Sequence, residues 1–365
     1  MTRSGQWVWS ARSAGLVFLL ALIVLTLPVW LWYVKQERQL ETVQTGGIVM
    51  HARTGNDYLQ VFTQGKWRDL LIKGVNMGIA KPGYFPGETA ITKAEYFRWF
   101  RQIGAMNANT VRVYTLHPPA FYEALYEYNE TAPQPLYLLQ GVWVNEEEFV
   151  QAGDAFADAV TSDFRNEIGR IVDAVHGKAT VPQRAGHASG TYSRDISPYL
   201  LGWVIGIEWD GQAVHSTNVK HAGMSDFTGS FFRTKQAEPF EIWLAQMLDF
   251  TAGYESSAYG WQRPMSFTNW VTTDLLKHPS EPSEREDMAS VDPNAIEPME
   301  SFHAGYFASY HVYPYYPDFM NYEPRYTEYV DRRGQKNNYA GYLHDMKQAH
   351  PMPMLVAEFG VPASR

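Results

Sequence analysis

An α/β fold of the (β/α)8 TIM-barrel kind is expected for this chain, on three observations. Short apolar runs bounded by turn residues recur along it, helical patterns separate them, and two of the runs stop on a glutamate. Strands and helices in alternation build a parallel sheet covered on both faces, whose strands read as near-continuous apolar stretches. In a barrel of such units the carboxyl ends of the strands are where the chemistry is placed.

The two glutamate-ended runs come first. Met354-Leu355-Val356-Ala357-Glu358 lies between Pro353 and Gly360, and Leu200-Leu201-Gly202-Trp203-Val204-Ile205-Gly206-Ile207-Glu208 repeats the pattern. A carboxylate at the end of a buried strand is costly unless it is paired or used. One such glutamate alone reads as a satisfied core acid or a surface residue. Two on one barrel are what glycosidic bond cleavage requires, one to protonate the leaving oxygen and one to attack or to activate water.

Composition narrows the classes. The 365 residues are 45% apolar, enough for one large domain with a full core. Aromatics make up 15%, with 12 Trp and 23 Tyr, which suits the flat faces of sugars and equally a rich core. A net charge of −9 argues against nucleic acid, whose phosphates demand basic patches. With no cysteine, neither a disulfide nor a thiolate metal site is available. The 11 histidines show no His-Glu-x-x-His spacing, so neither a metal nor another cofactor is expected.

Along the chain, residues 1–13 read as a cytoplasmic tail and 14–34 as an uncleaved transmembrane anchor. The run from Ala14 to Val34 has about the twenty apolar residues a bilayer helix needs, and it ends in an aromatic belt, Trp30-Leu31-Trp32-Tyr33. A cleavable signal peptide would want a shorter apolar core and a small-residue cleavage site. This places a single-pass protein in the membrane with its domain on the extracytoplasmic side. Residues 35–47 read as a linker, and 48–365 as the barrel domain. A small β-hairpin follows Ile48, with turns at Gly55-Asn56-Asp57 and Gln64-Gly65-Lys66, as a lid over the barrel bottom.

The barrel strands are then read at Leu70–Asn76, Thr110–Tyr114, Leu136–Val142, Tyr199–Trp209, Met265–Thr268, Tyr306–Tyr313 and Met354–Glu358. Thr92 and Glu95 form a capping box for the first helix. Arg112 sits inside an apolar strand and must find an acid, structural or functional. Arg184–Ser193 joins helix to strand and is expected at the bottom of the barrel as a structural connector. Gly211–Ala237 reads as a long structureless loop on the catalytic face, and Lys277–Glu300 as a solvated acidic loop. His311 and Tyr313, two apart on a strand, point the same way. An eighth strand is missing. Either the chain is a fragment or the barrel is open, and an open barrel would expose unpaired backbone, which favours the fragment.

From Ile48 onward these landmarks resemble the clan A glycoside hydrolases, which include family 5 cellulases and mannanases, family 2 enzymes and family 72 glucanosyltransferases. Ala357-Glu358-Phe359-Gly360 is similar to the family 5 nucleophile motif, His311-Val312-Tyr313 to its strand-six His-x-Tyr, and Lys73-Gly74-Val75-Asn76 to the clan's strand-one opening. The resemblance implies that Glu208 is the acid/base and Glu358 the nucleophile, with Arg112 holding the nucleophile. It also implies an Asn before the acid/base, to bind the sugar 2-hydroxyl, where this chain has Ile207.

The expected chemistry is a retaining double displacement on a β-linked glycan. Arg112 and Tyr313 keep Glu358 charged, and Trp143, Asn269, Trp270 and His311 line the sugar sites. Trp143 and Trp270 read equally as core. A transglycosylase, passing the same intermediate to a sugar hydroxyl, stays open, as does a glycan-binding pseudoenzyme, which Ile207 motivates. A purely structural scaffold would bind no glycan at all.

Overall fold

The computed structural model describes residues 22, 24–26 and 40–361. Among them no helix is long and apolar enough to cross a membrane. Residues 22 and 24–26 are helical. The remainder of the anchor expected over 14–34 lies outside the described residues. Among the described residues, those from Glu41 to Val361 form one compact unit.

Seven parallel strands form one sheet in simple sequence order: β1 (Gly74–Asn76), β2 (Thr110–Val113), β3 (Tyr137–Val142), β4 (Leu200–Ile205), β5 (Met265–Trp270), β6 (Ala308–His311) and β7 (Met354–Glu358). β2 and β4 are buried along their whole length, and β3 at every residue after Tyr137, as strands covered on both faces must be. Helices follow the strands, and the main core fills the space between them and the sheet. Thr92 caps the first helix, Lys93–Ala105, through the expected capping box with Glu95. β1 is shorter than expected, because Lys66–Leu70 pairs instead with Leu59–Thr63 in a separate antiparallel sheet.

That small sheet also contains Ala52–Thr54, and Ala52, Leu59 and Val61 pack on Leu139, Leu201 and Phe307. It covers the amino-terminal end of the barrel, as a lid there should. Part of the expected linker is also paired: Val43–Thr45 forms a hairpin with Ile48–Met50. Gly46 and Gly47, at φ 59° and 87°, supply the left-handed turn that a two-residue hairpin requires.

Among the described residues there is no eighth strand. Between β1 and β7 the Asn76 side chain reaches across, its Nδ2 donating to Ala357 O at 2.9 Å. A slot of about 380 Å3 lies there, lined by Val75, Leu355 and Val356 among others.

Three connecting segments differ from expectation. The stretch after Glu208 is not structureless: Gly211–Lys220 is a helix, capped by Asp210, whose carboxylate accepts from Ala213 N. Phe232–Thr234 then pairs with Ile296–Pro298, which draws part of the acidic Lys277–Glu300 segment into a two-stranded ribbon. The connector around Arg184–Ser193 does not stay at the barrel bottom either. Ala179–Val181 and Gly190–Tyr192 pair as a hairpin, and its tip meets the loop after β1, where a Cβ on Gly87 would sit 2.8 Å from Gly186 Cα.

Candidate active site

The two glutamates meet at one cavity. It is about 350 Å3, at the carboxyl ends of the strands, and Arg112, Tyr114, Trp143, Glu208, His311 and Glu358 are among its walls. A carboxylate oxygen of Glu208 and one of Glu358 lie within 4.8 Å of each other, and a His311 ring nitrogen lies within the same distance of both. Among the described residues this is the one grouping of three His, Asp or Glu side chains close enough to hold a metal ion. The donors there are already engaged: His311 Nδ1 bonds to Glu208 at 2.7 Å, and Arg112 Nη1 lies 3.6 Å from Glu358.

Each glutamate is delivered differently. Glu358 is the last residue of β7. Glu208 lies beyond the end of β4, after a break at Gly206. Gly206 has φ 86°, and a Cβ there would fall 2.2 Å from the Trp209 ring. Trp209 is fully buried and packs edge-on against Phe149 and Trp243. The glycine therefore turns the chain over the indole and lets Glu208 face the cavity. Replacing it with alanine adds left-handed strain and a clash, together about 2–4 kcal/mol. We expect Gly206→Ala to lower the denaturant midpoint accordingly and to reduce any turnover of the folded protein, measured by urea unfolding and steady-state assay.

Glu358 is held from four sides. Tyr114 donates to its Oε2 at 2.5 Å, Tyr313 donates to its Oε1, Arg112 stands beside Oε2, and His311 Nδ1 is 3.8 Å away. Burial pushes the carboxyl up, but the attraction of His311, the two tyrosine hydrogen bonds and Arg112 outweigh it. The net effect holds Glu358 below the ordinary glutamate value of 4.5. For Tyr114 and Tyr313, burial and the bond to Glu358 push the hydroxyls up, so both remain protonated donors. The Arg112 guanidinium lies over the Tyr114 ring at 4.5 Å and donates to Thr268 at 3.4 Å. Glu358 is 19% exposed and Glu208 39%, so both remain within reach of a ligand. His311 Nε2 and Arg112 Nε are buried without a protein hydrogen-bond partner, and such orphan polar atoms are costly unless a ligand or water meets them.

Of the residues singled out from sequence, Glu208, Glu358, Arg112, Trp143 and His311 share this cavity, and Tyr313 touches it through Glu358. Asn269 does not. It is fully buried, its amide donating to Val291 O and its oxygen accepting from Thr273 Oγ1 and Trp270 N. Its neighbour Thr268 is the β5 residue that lines the cavity, so alternation along the strand turns Asn269 away. Trp270 is also outside the lining set, with Nε1 donating to Trp209 O and the ring stacked near Tyr316. Ile207 is buried in the wall, in the place where the resemblance expects Asn.

Two titratable residues of the site were not read from sequence. Tyr114 is one, although Arg112 and Tyr114 alternate on one strand face and so point together. Glu146 is the other. It begins the helix Glu146–Ala152, and burial pushes its carboxyl up, with Asp210 and Glu208 adding to that.

The fold and the site thus define an α/β barrel with paired carboxylates at its carboxyl face. No family model and no curated protein matches the chain. Among solved structures it is similar to β-glucuronidase 2 of Bacteroides uniformis, covalently bound to cyclophellitol-6-carboxylate aziridine. That match has a TM-score of 0.45 and 12% identity, covering 86% of this chain and 27% of that one. It is also similar to a β-glucuronidase of Parabacteroides merdae, with a TM-score of 0.38 and 9% identity, covering 87% and 38%. The chain spans well under half the length of either structure.

Proposed function

We propose that this chain is a retaining glycoside hydrolase acting on a β-linked polysaccharide or oligosaccharide. The observation that carries the reading is the approach of Glu208 and Glu358 to within 4.8 Å across one open cavity. Double displacement uses carboxyl groups about 5 to 5.5 Å apart, whereas inversion needs about 6.5 to 9.5 Å to fit a water between.

In this mechanism the ionised Glu358 attacks the anomeric carbon as the glycosidic bond breaks. Glu208 gives its proton to the departing oxygen. A covalent glycosyl ester forms on Glu358. Glu208, now a carboxylate, takes a proton from water, and the hydroxide attacks the same carbon and frees Glu358. Arg112, Tyr114 and Tyr313 keep the nucleophile charged and fix its direction. His311 orients Glu208 through the Nδ1 bond.

The test is release of reducing ends from a panel of β-linked gluco-, manno-, xylo- and glucurono-oligosaccharides by the whole chain. Release from at least one member supports the reading, and none from any member overturns it. Ile207 favours a second reading, a glycan-binding protein that does not cut, because no amide stands there to meet the sugar 2-hydroxyl. Binding without turnover would select that reading.

Tyr313 gives a separate check. Removing its hydroxyl takes away a bond that favours the charged form of Glu358, so the folded-state pKa rises. The acid limb of the kcat/KM profile should move toward neutral by about half to one pH unit in Tyr313→Phe. An unmoved limb would remove Tyr313 from the support of Glu358.

We also propose that residues 14–34 tether this domain to a membrane, on the strength of the apolar run alone. The whole chain should stay in the membrane pellet after an alkaline wash, and a chain starting at Leu40 should be released. Recovery of both in the supernatant would sink the tether.

A further inference from the structure

Next to the cavity of Glu208 and Glu358 lies a second one of about 400 Å3, and Trp143 and Glu146 wall both. The hairpin tip closes its far side with Arg184 and His187, and a small recess around Thr115 continues it. The two cavities form a trench that runs from the carboxylate pair, past Trp143, to the hairpin.

Trp143 is 40% exposed, a large indole standing in the trench rather than in the core. An exposed aromatic face is a platform for the C–H face of a sugar ring. Beyond it the polar groups suit hydroxyls. Arg184 Nη2 lies 2.9 Å from His187 Nδ1, and a guanidinium can only donate. His187 Nδ1 is therefore the acceptor, and its ring proton sits on Nε2, free to donate elsewhere.

The charges argue against an acidic glycan. Arg184 and Arg170 both lie within ion-pair distance of Asp163 and Glu167. Glu146 and Glu147 add further negative charge to the same wall. Paired arginines beside surplus carboxylates offer an anion little. Neutral hydroxyls, which both donate and accept, fit such a lining.

We propose that this trench is an extended subsite for a neutral oligosaccharide, with Trp143 as platform and Arg184 and His187 as the distal recognition pair. The proposal rests on the glycosidase reading for its direction, since it places further sugar units of one chain beyond the reacting bond. It makes the substrate a neutral chain of several units, not a single terminal sugar.

The test is titration calorimetry on the whole chain carrying Glu358→Gln, which binds without cutting. The probes are β-1,3-gluco-, β-1,4-gluco- and β-1,4-manno-oligosaccharides of one to five units, with an oligoglucuronate ladder as the acidic counterpart. For at least one neutral ladder, affinity should climb with length and exceed that for the matching acidic chain. Adding Arg184→Ala and His187→Ala should cost the longest ligand about tenfold, two hydrogen bonds' worth, and leave the shortest unchanged. His187→Ala alone, at an outlying loop, provides a milder variant should the double change disturb folding by circular dichroism. Affinity independent of length, a preference for the acidic ladder, or full length dependence in the hairpin variants overturns the proposal. Length-dependent binding by a native chain that cuts nothing would instead sink the catalytic reading and leave the trench standing.

Discussion

Glu358→Ala should abolish turnover, lowering kcat by on the order of 10^4-fold or more, and added azide should restore part of it. The reason is geometric. Glu358 is the carboxylate with both oxygens bonded by tyrosines, with Arg112 beside it, and its pKa is held below the usual glutamate range. Such a group is charged, aimed and poorly placed to lend a proton. Truncating it to alanine leaves a gap on the face opposite the leaving group, and a small anion can enter there and attack in its stead. The product of rescue should be the glycosyl azide of opposite anomeric configuration, read by NMR. Undiminished hydrolysis in the alanine variant would assign the attack to another group. Arg112 and Tyr114 remain in the variant, so the pocket that azide enters stays positive and donor-rich.

Glu208→Gln should separate substrates by leaving group. Protonating the departing oxygen contributes about 10^2 to 10^4-fold, and the amide cannot supply that proton. Natural glycosides and other poor leaving groups should slow by that amount. Aryl glycosides whose phenol is already acidic, such as dinitrophenyl glycosides, need no proton and should form the glycosyl ester at close to the native rate. Deglycosylation then limits, and a burst of phenol should appear in a stopped-flow trace. Equal slowing on both substrate types would mean that Glu208 positions rather than donates. Glutamine keeps the size of the side chain and can still meet His311, so the variant tests the proton more than the packing.

The strand-end glutamates were legible because an apolar run that stops on a carboxylate is a strong physical anomaly. Arg112 was legible for the same reason, as a charge inside β2 that had to find an acid. Tyr114 could have been read from the alternation that places it beside Arg112. The same alternation, applied from Thr268, would have turned Asn269 inward to Val291. Gly206 hides its role in sequence, because the need for it comes from the Trp209 ring folding back beneath the turn. Glu146 reads as an ordinary acid in a helix first turn, favourable there for the helix dipole alone.

The hairpin tip was beyond reach by local pattern. A connector between helix and strand is expected at the amino-terminal end of a barrel, and nothing nearby in sequence says that two three-residue strands carry its tip to Trp143. The helix Gly211–Lys220 was missed because it is only weakly amphipathic, with Thr217 buried among its apolar positions. Asp210 as its N-cap was the available signal.

The claim on which the account rests is that Glu358 forms a covalent bond to the sugar. The direct measurement is peptide mass spectrometry of the native chain after incubation with an activated 2-deoxy-2-fluoro-β-glycoside of the sugar the panel selects. A covalent intermediate on Glu358 predicts one added glycosyl mass on the peptide containing Ala357-Glu358-Phe359. Label on any other residue, or complete turnover of that probe with no labelled peptide at any time, would contradict it.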